Sequence, residues 1–152
     1  MTLGRFRRVS RRARGGHALI LLGLFVASPS ARADNEALSA RVECAPAARP
    51  GRILCELTAN ASSGKLVWAD VLVVQAPSFA RPLRSRVVAQ VAPSGAASAK
   101  LALVASELGA GELQLRVRGV LCEQGPSGEW CGPEMVRVSA AVEVGQVASK
   151  AP

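Results

Sequence analysis

The stretch GELQLRVRGVLCEQGPSGEWCGPEMVRVSAAVEVG, residues 111–145, decides the fold. Near its start, Leu113, Leu115 and Val117 alternate with Gln114, Arg116 and Arg118. Near its end, Val136, Val138, Ala140, Val142 and Val144 alternate with Arg137, Ser139 and Glu143. Successive side chains of a strand point to opposite faces, so apolar residues at every second position mark a strand with one face in a core. The pattern predicts a strand over residues 112–123 that closes on Cys122, and a return strand over residues 135–145. Between them it predicts a loop that carries Cys131 within Glu129-Trp130-Cys131-Gly132-Pro133-Glu134.

The same period runs backwards through the chain. Leu38, Ala40, Val42 and Cys44 form one alternating set, and Ile53, Cys55, Leu57 and Ala59 another. Leu83, Ser85, Val87, Ala89 and Val91 form a third, and Leu101, Leu103 and Ala105 a fourth. Residues 99–108 hold the Ala and Leu of a possible helix, but their register agrees better with a strand. Leu66 to Val74 is the most apolar run, interrupted by Asp70, and predicts a central strand buried on both faces. Turn residues separate the sets at Pro46–Gly51, Asn60–Gly64, Pro77–Pro82 and Pro93–Ser98. Seven short alternating strands and no convincing helix predict an all-β, immunoglobulin-like two-sheet antiparallel sandwich over residues 34–145. Residues 146–152 read as a frayed C-terminal tail.

Residues 1–33 read differently. Arg5, Arg7, Arg8, Arg11, Arg12 and Arg14 precede a ten-residue apolar run from Ala18 to Ala27, and the small-residue site Ala31-Arg32-Ala33 comes after it. This is the order of a secretory signal peptide, with cleavage expected between Ala33 and Asp34. The run is about half the length needed to span a bilayer, so no stable membrane insertion is expected after cleavage. The leader also accounts for the charge: the whole chain is +8, but seven of its 19 basic residues and none of its 11 acidic ones lie before Asp34. The remainder is close to neutral, which argues against nucleic acid as a partner. Four cysteines, all after the cleavage site, predict two disulfides in an oxidising compartment, the periplasm or the cell exterior.

Histidine chemistry is excluded from the exported part, because the one histidine, His17, lies in the leader. That removes Ser-His-Asp and Cys-His nucleophiles and every histidine-containing metal site. A four-cysteine metal site is disfavoured because neither Cys44/Cys55 nor Cys122/Cys131 has close C-x2-4-C spacing, so neither a metal nor another cofactor is expected. Sulfur chemistry remains. Four cysteines allow three pairings. Cys44 and Cys55, inward on neighbouring strands, read as a structural disulfide. Cys122 and Cys131 read either as a staple between the last two strands or as a bond open to a partner's thiolate. In the second case Cys131 is the more accessible sulfur, Cys122 its strand-anchored partner and Trp130 a cover or landing point. Trp130-Cys131-Gly132-Pro133 copies most of the thioredoxin motif, but Glu134 stands where that motif has its second cysteine.

Gly111-Glu112-Leu113-Gln114-Leu115, Val120-Leu121-Cys122, Trp130-Cys131-Gly132-Pro133-Glu134 and the strand through Val144 together resemble the N-terminal immunoglobulin-like domain of the thiol:disulfide interchange protein DsbD family. The resemblance covers residues 111–145. It implies an immunoglobulin-like fold and a redox pair, Cys122 and Cys131, that passes reducing equivalents from a membrane reductase to periplasmic partners. It implies binding roles for Trp130, Pro133 and Glu134, and a partner that is another periplasmic thiol or disulfide protein. The alternative is a non-enzymatic exported binding or assembly module in which both disulfides are structural.

Overall fold

The computed structural model describes residues 32–34 and 37–145. The expected leader through residue 31 and the tail from residue 146 lie outside the described residues, and the expected cleavage point falls inside the first short strand. The described residues form ten strands, more than the seven expected: β1 (Arg32–Asp34), β2 (Leu38–Cys44), β3 (Gly51–Ala61), β4 (Lys65–Gln75), β5 (Ala80–Pro82), β6 (Arg86–Val88), β7 (Gln90–Val91), β8 (Ala97–Ala105), β9 (Gly109–Gly125) and β10 (Gly128–Val144). No helix occurs among the described residues.

The strands form two antiparallel sheets. One has the order β1-β2-β3-β8-β5, with β7 also on β8; the other has the order β10-β9-β4-β6. With β2, β3, β4, β8, β9 and β10 as strands A, B, C, E, F and G, these are the A-B-E-D and C′-C-F-G sheets of an immunoglobulin-like sandwich. The β2–β3 connection reaches across to the end of β10, where Ala47 donates to the Glu143 carbonyl at 3.0 Å and Gly145 donates to the Ala47 carbonyl at 2.8 Å.

The core is filled by the alternating sets. Val42, Ile53, Leu57 and Leu103 of one sheet meet Leu66, Val71, Leu113, Leu115, Val117 and Val142 of the other, all buried. Alanines complete the layer at Ala40, Ala59, Ala69, Ala97, Ala99 and Ala140, and no aromatic ring is fully buried among the described residues. Small side chains let the sheets approach closely and leave little slack for larger ones. Gly119 is a tight point within the core: a Cβ there would lie 2.6 Å from Leu66 Cδ1, and Leu66 is fully buried. Gly119→Ala is expected to cost about 1–3 kcal/mol by overpacking, read from the midpoint of urea unfolding.

Two expectations need correction. The strand expected over Leu83–Val91 is two pieces, β6 and β7, and β5 precedes them within the expected Pro77–Pro82 turn. β5 and β7 pair with β8, while β6 between them pairs with β4 in the other sheet. Leu83 still donates to the Ala102 carbonyl of β8 at 2.9 Å, and after it the chain crosses the sandwich edge. There Val73 donates to the Ser85 carbonyl at 2.8 Å and Ala89 to the Ala69 carbonyl at 3.0 Å. Second, β4 is central but not buried on both faces, since Val67, Trp68 and Val74 are exposed. The pairing of β4 with β9 slips between Leu66 and Trp68. A bulge of this kind reverses the facing of the residues beyond it. Leu66 therefore points into the core while Trp68 and Asp70 point to the outer face.

Of the three possible pairings, the structure has Cys44–Cys55 and Cys122–Cys131. Each joins directly opposed residues of neighbouring strands. Cys55 is fully buried in the core. Closing a loop of this length is worth about 3 kcal/mol in the chain-entropy account. Cys44→Ala/Cys55→Ala is expected to lose about that much stability in urea, with the secondary structure intact by circular dichroism.

Candidate functional site

The last hairpin is longer than its sequence suggests. Its turn is only Pro126-Ser127, flanked by the paired glycines Gly125 and Gly128, and Gly128 has a φ of 114°. Pro126 presets the φ of the turn's first residue, and Gly128 supplies the left-handed backbone needed to leave it. The ladder therefore continues without a break from Gly128↔Gly125 to Val144↔Gly109. Cys131 lies in strand β10, not in a loop, opposite Cys122, with their Cα atoms 4.0 Å apart. Pro133 is tolerated within the strand because β10 is an edge strand of its sheet.

Alternation then fixes which side chains share a face. Leu121 and Val117 are inward, so Arg118, Val120 and Cys122 lie on the outer face of the sheet, opposed by Met135, Pro133 and Cys131. Cys122 is 8% exposed, whereas Cys131 is an exposed residue. Glu129, two residues before Cys131, shares that face, and its carboxylate and the two sulfurs lie within 4.8 Å of one another. On the neighbouring strand, Lys65 takes the register position opposite Cys122.

Along the same face, the next outward pair after the disulfide is Val120↔Pro133. It opens onto a shallow hollow of about 490 Å³ lined by Trp68, Arg86, Arg118, Val120, Pro133 and Met135, with Glu134 and Gly119 also bordering it. One side of this hollow is an ion cluster. Asp70, 0% exposed, accepts from Arg118 Nε at 2.9 Å and from Arg118 Nη2 at 2.5 Å, and pairs with Arg86 Nε at 2.5 Å. The hydrogen bonds from Arg118 hold the Asp70 carboxyl below its ordinary value; burial opposes this, and the nearby charge of Arg118 and then Arg86 adds to it. The bond to Asp70 in turn raises the Arg118 guanidinium above its ordinary value.

Among the sequence-derived site residues, Cys122, Cys131 and Pro133 share the outer face, whereas Glu134, which borders the hollow, takes the register position opposite Gly119 on the other face. Trp130 is placed elsewhere. A Cβ on Gly132 would lie 2.3 Å from the far edge of the Trp130 ring, so the ring lies along Gly132, on the face opposite the sulfurs. It is 65% exposed and does not cover the disulfide. Trp68 is the aromatic that borders the hollow. Sequence reasoning missed it because the bulge at Val67, invisible in the apolar run, reverses its facing. Glu129 was missed although its position two residues from Cys131 places it on the same side of a strand; the loop assignment hid that relation. Cys44 and Cys55 lie in the other sheet, away from this site. Comparison with protein-family models gives no match and comparison with curated proteins gives none, so what the site does is argued from its geometry.

Proposed function

We propose that the chain is an exported thiol–disulfide exchange module that works in the periplasm or outside the cell through Cys122 and Cys131. The observation that carries this reading is the asymmetry of the bond: one half is sheltered and the other exposed, on an open face beside a hollow with both apolar and charged walls. A partner lying across Trp68, Val120, Pro133 and Met135 would bring its thiolate to Cys131 Sγ. That thiolate forms a bond to Cys131 as the Cys122–Cys131 bond breaks, and Cys122 leaves as the thiolate. A second partner thiol then attacks the mixed disulfide, so the partner is oxidised and this chain ends with two thiols. Running the steps backwards passes electrons the other way. A cation at the Lys65 position favours the leaving thiolate, and the Glu129 carboxylate opposes it. The partner is accordingly another thiol or disulfide protein of the same compartment, and no other cofactor is required.

The alternative, a binding or assembly module with two structural disulfides, draws support from the register. Like Cys44–Cys55, Cys122–Cys131 is a cross-strand staple between directly opposed residues of neighbouring strands. Reduction separates the readings. The oxidised protein is treated with a mild dithiol at neutral pH, alkylated, and mapped by peptide mass. Exchange predicts that Cys122 and Cys131 become labelled while Cys44 and Cys55 stay joined. Two bonds that resist equally would support the structural role.

A further inference from the structure

We propose that reduction of the Cys122–Cys131 bond creates a three-ligand site for a thiophilic divalent cation of the zinc class, made by the two sulfurs and the Glu129 carboxylate. This rests on the preceding reading only in requiring that the bond be reducible. The two disulfides lie in different sheets, so the four cysteines are not gathered at one point. A set made of two cysteines and a glutamate is a different matter.

The geometry already gathers the ligands. All three donor atoms lie within 4.8 Å of one another. Breaking the bond cannot disperse the sulfurs far, because the ladder keeps Cys122 and Cys131 opposed on either side of the lost link, with their Cα atoms 4.0 Å apart. Tetrahedral zinc holds two thiolate sulfurs about 3.8 Å apart and a carboxylate oxygen slightly nearer. Side-chain rotation alone reaches those spacings. Glu129 is itself exposed, which leaves its side chain room to turn.

The donor set also selects the ion. Two thiolates favour borderline and soft metals over magnesium or calcium, and a carboxylate as third ligand suits a divalent ion better than univalent copper. Because Cys131 is exposed, the fourth position is left to water or a partner's sulfur, as in open zinc sites. Charge and atoms balance. A dithiol reductant gives two electrons and two protons to the disulfide and itself becomes a disulfide. Zinc then displaces both protons from the thiols and joins the carboxylate, giving a complex of net charge −1. While zinc is bound, both sulfurs are occupied and the bond cannot re-form, so metal would hold the reduced state.

The test uses the full exported chain reduced with a tris-phosphine under nitrogen. Thiols are counted with a chromogenic disulfide and mapped by alkylation, and Co²⁺ is then titrated in. The expected result is near-ultraviolet sulfur-to-cobalt charge-transfer absorption that saturates at one Co²⁺ per chain and is displaced by Zn²⁺. Glu129→Gln should keep the bands but weaken binding at least about tenfold. Cys131→Ser should lose them. Two free thiols mapped to Cys122 and Cys131 with no such bands would overturn the metal site and leave the exchange reading standing. So would unchanged affinity in Glu129→Gln, or bands that persist in Cys131→Ser. A Cys122–Cys131 bond that the phosphine cannot open would sink both proposals.

Discussion

A Cys122→Ser chain is expected to accumulate as a mixed disulfide through Cys131 when mixed with an extract of the oxidising compartment, whereas a Cys131→Ser chain is not. The asymmetry comes from exposure. Attack on a disulfide needs a clear line to one sulfur, and only Cys131 offers it. Removing Cys122 leaves a single accessible thiol that can join a partner but has no neighbour with which to resolve the bond. Removing Cys131 leaves the 8% exposed Cys122, which a partner's sulfur cannot reach across the sheet face. Both variants should have exchange activity at background toward a model disulfide, because either change removes the bond that carries the electrons. The two fold alike, since each gives up the same short cross-strand link. The measurement is a non-reducing gel of the tagged chain with identification of the attached species. Equal trapping by both variants, or none by either, would refute the proposed order of attack. A weaker, separate consequence concerns Trp68: its replacement by alanine should slow exchange with the protein partner while leaving exchange with a small thiol unchanged.

Most of the fold was legible because its core is written in period two. Leu113, Leu115 and Val117, or Ile53, Cys55, Leu57 and Ala59, announce strand and facing together, and every one of them is buried. The hidden parts lie where local signals compete with sheet pairing. Pro133 and three glycines look like loop residues, but the tight Pro126-Ser127 turn and the edge position of β10 allow pairing to continue past them. The segment from Leu83 to Val91 alternates like one strand, although the chain crosses between sheets within it, and Leu83 ends exposed. The site suffered most from this. Cys122 and Cys131 stood out by chemistry alone, whereas their surroundings depend on register: Glu129 beside the sulfurs and Trp68 at the hollow emerge only once β4, β9 and β10 are aligned residue by residue. Asp70 was the least legible residue. An acid in an apolar run reads as a break in the pattern, and nothing local shows that Arg118, 48 positions later, stands directly opposite it.

That aspartate leads to the second large effect. Arg118→Met is expected to destabilise the fold at neutral pH, though by less than breaking a fully buried ion pair would, because Arg118 is itself 40% exposed and Arg86 still holds one oxygen of Asp70. The loss comes from stranding a fully buried carboxylate, not from forfeiting a favourable attraction. Asp70→Leu/Arg118→Met should therefore recover most of the stability, since a buried ion pair exchanged for packed apolar groups is often neutral. A double variant no more stable than the single one would contradict this account. Acid gives an independent check. The folded Asp70 carboxyl titrates below its unfolded value of 3.8, so between the two values the unfolded chain binds more protons. Its contribution to stability is then complete above about pH 5 and is lost as the pH falls through the lowered folded value. Urea midpoints taken from pH 7 down to 2 should fall with a steeper acid limb in the natural chain than in the double variant. Because Arg86 and Arg118 also border the hollow beside Val120, the same cluster fixes the surface a partner would meet. Arg118→Met should therefore slow exchange with the protein partner, while a small dithiol, which needs only Cys131, reduces it at the natural rate.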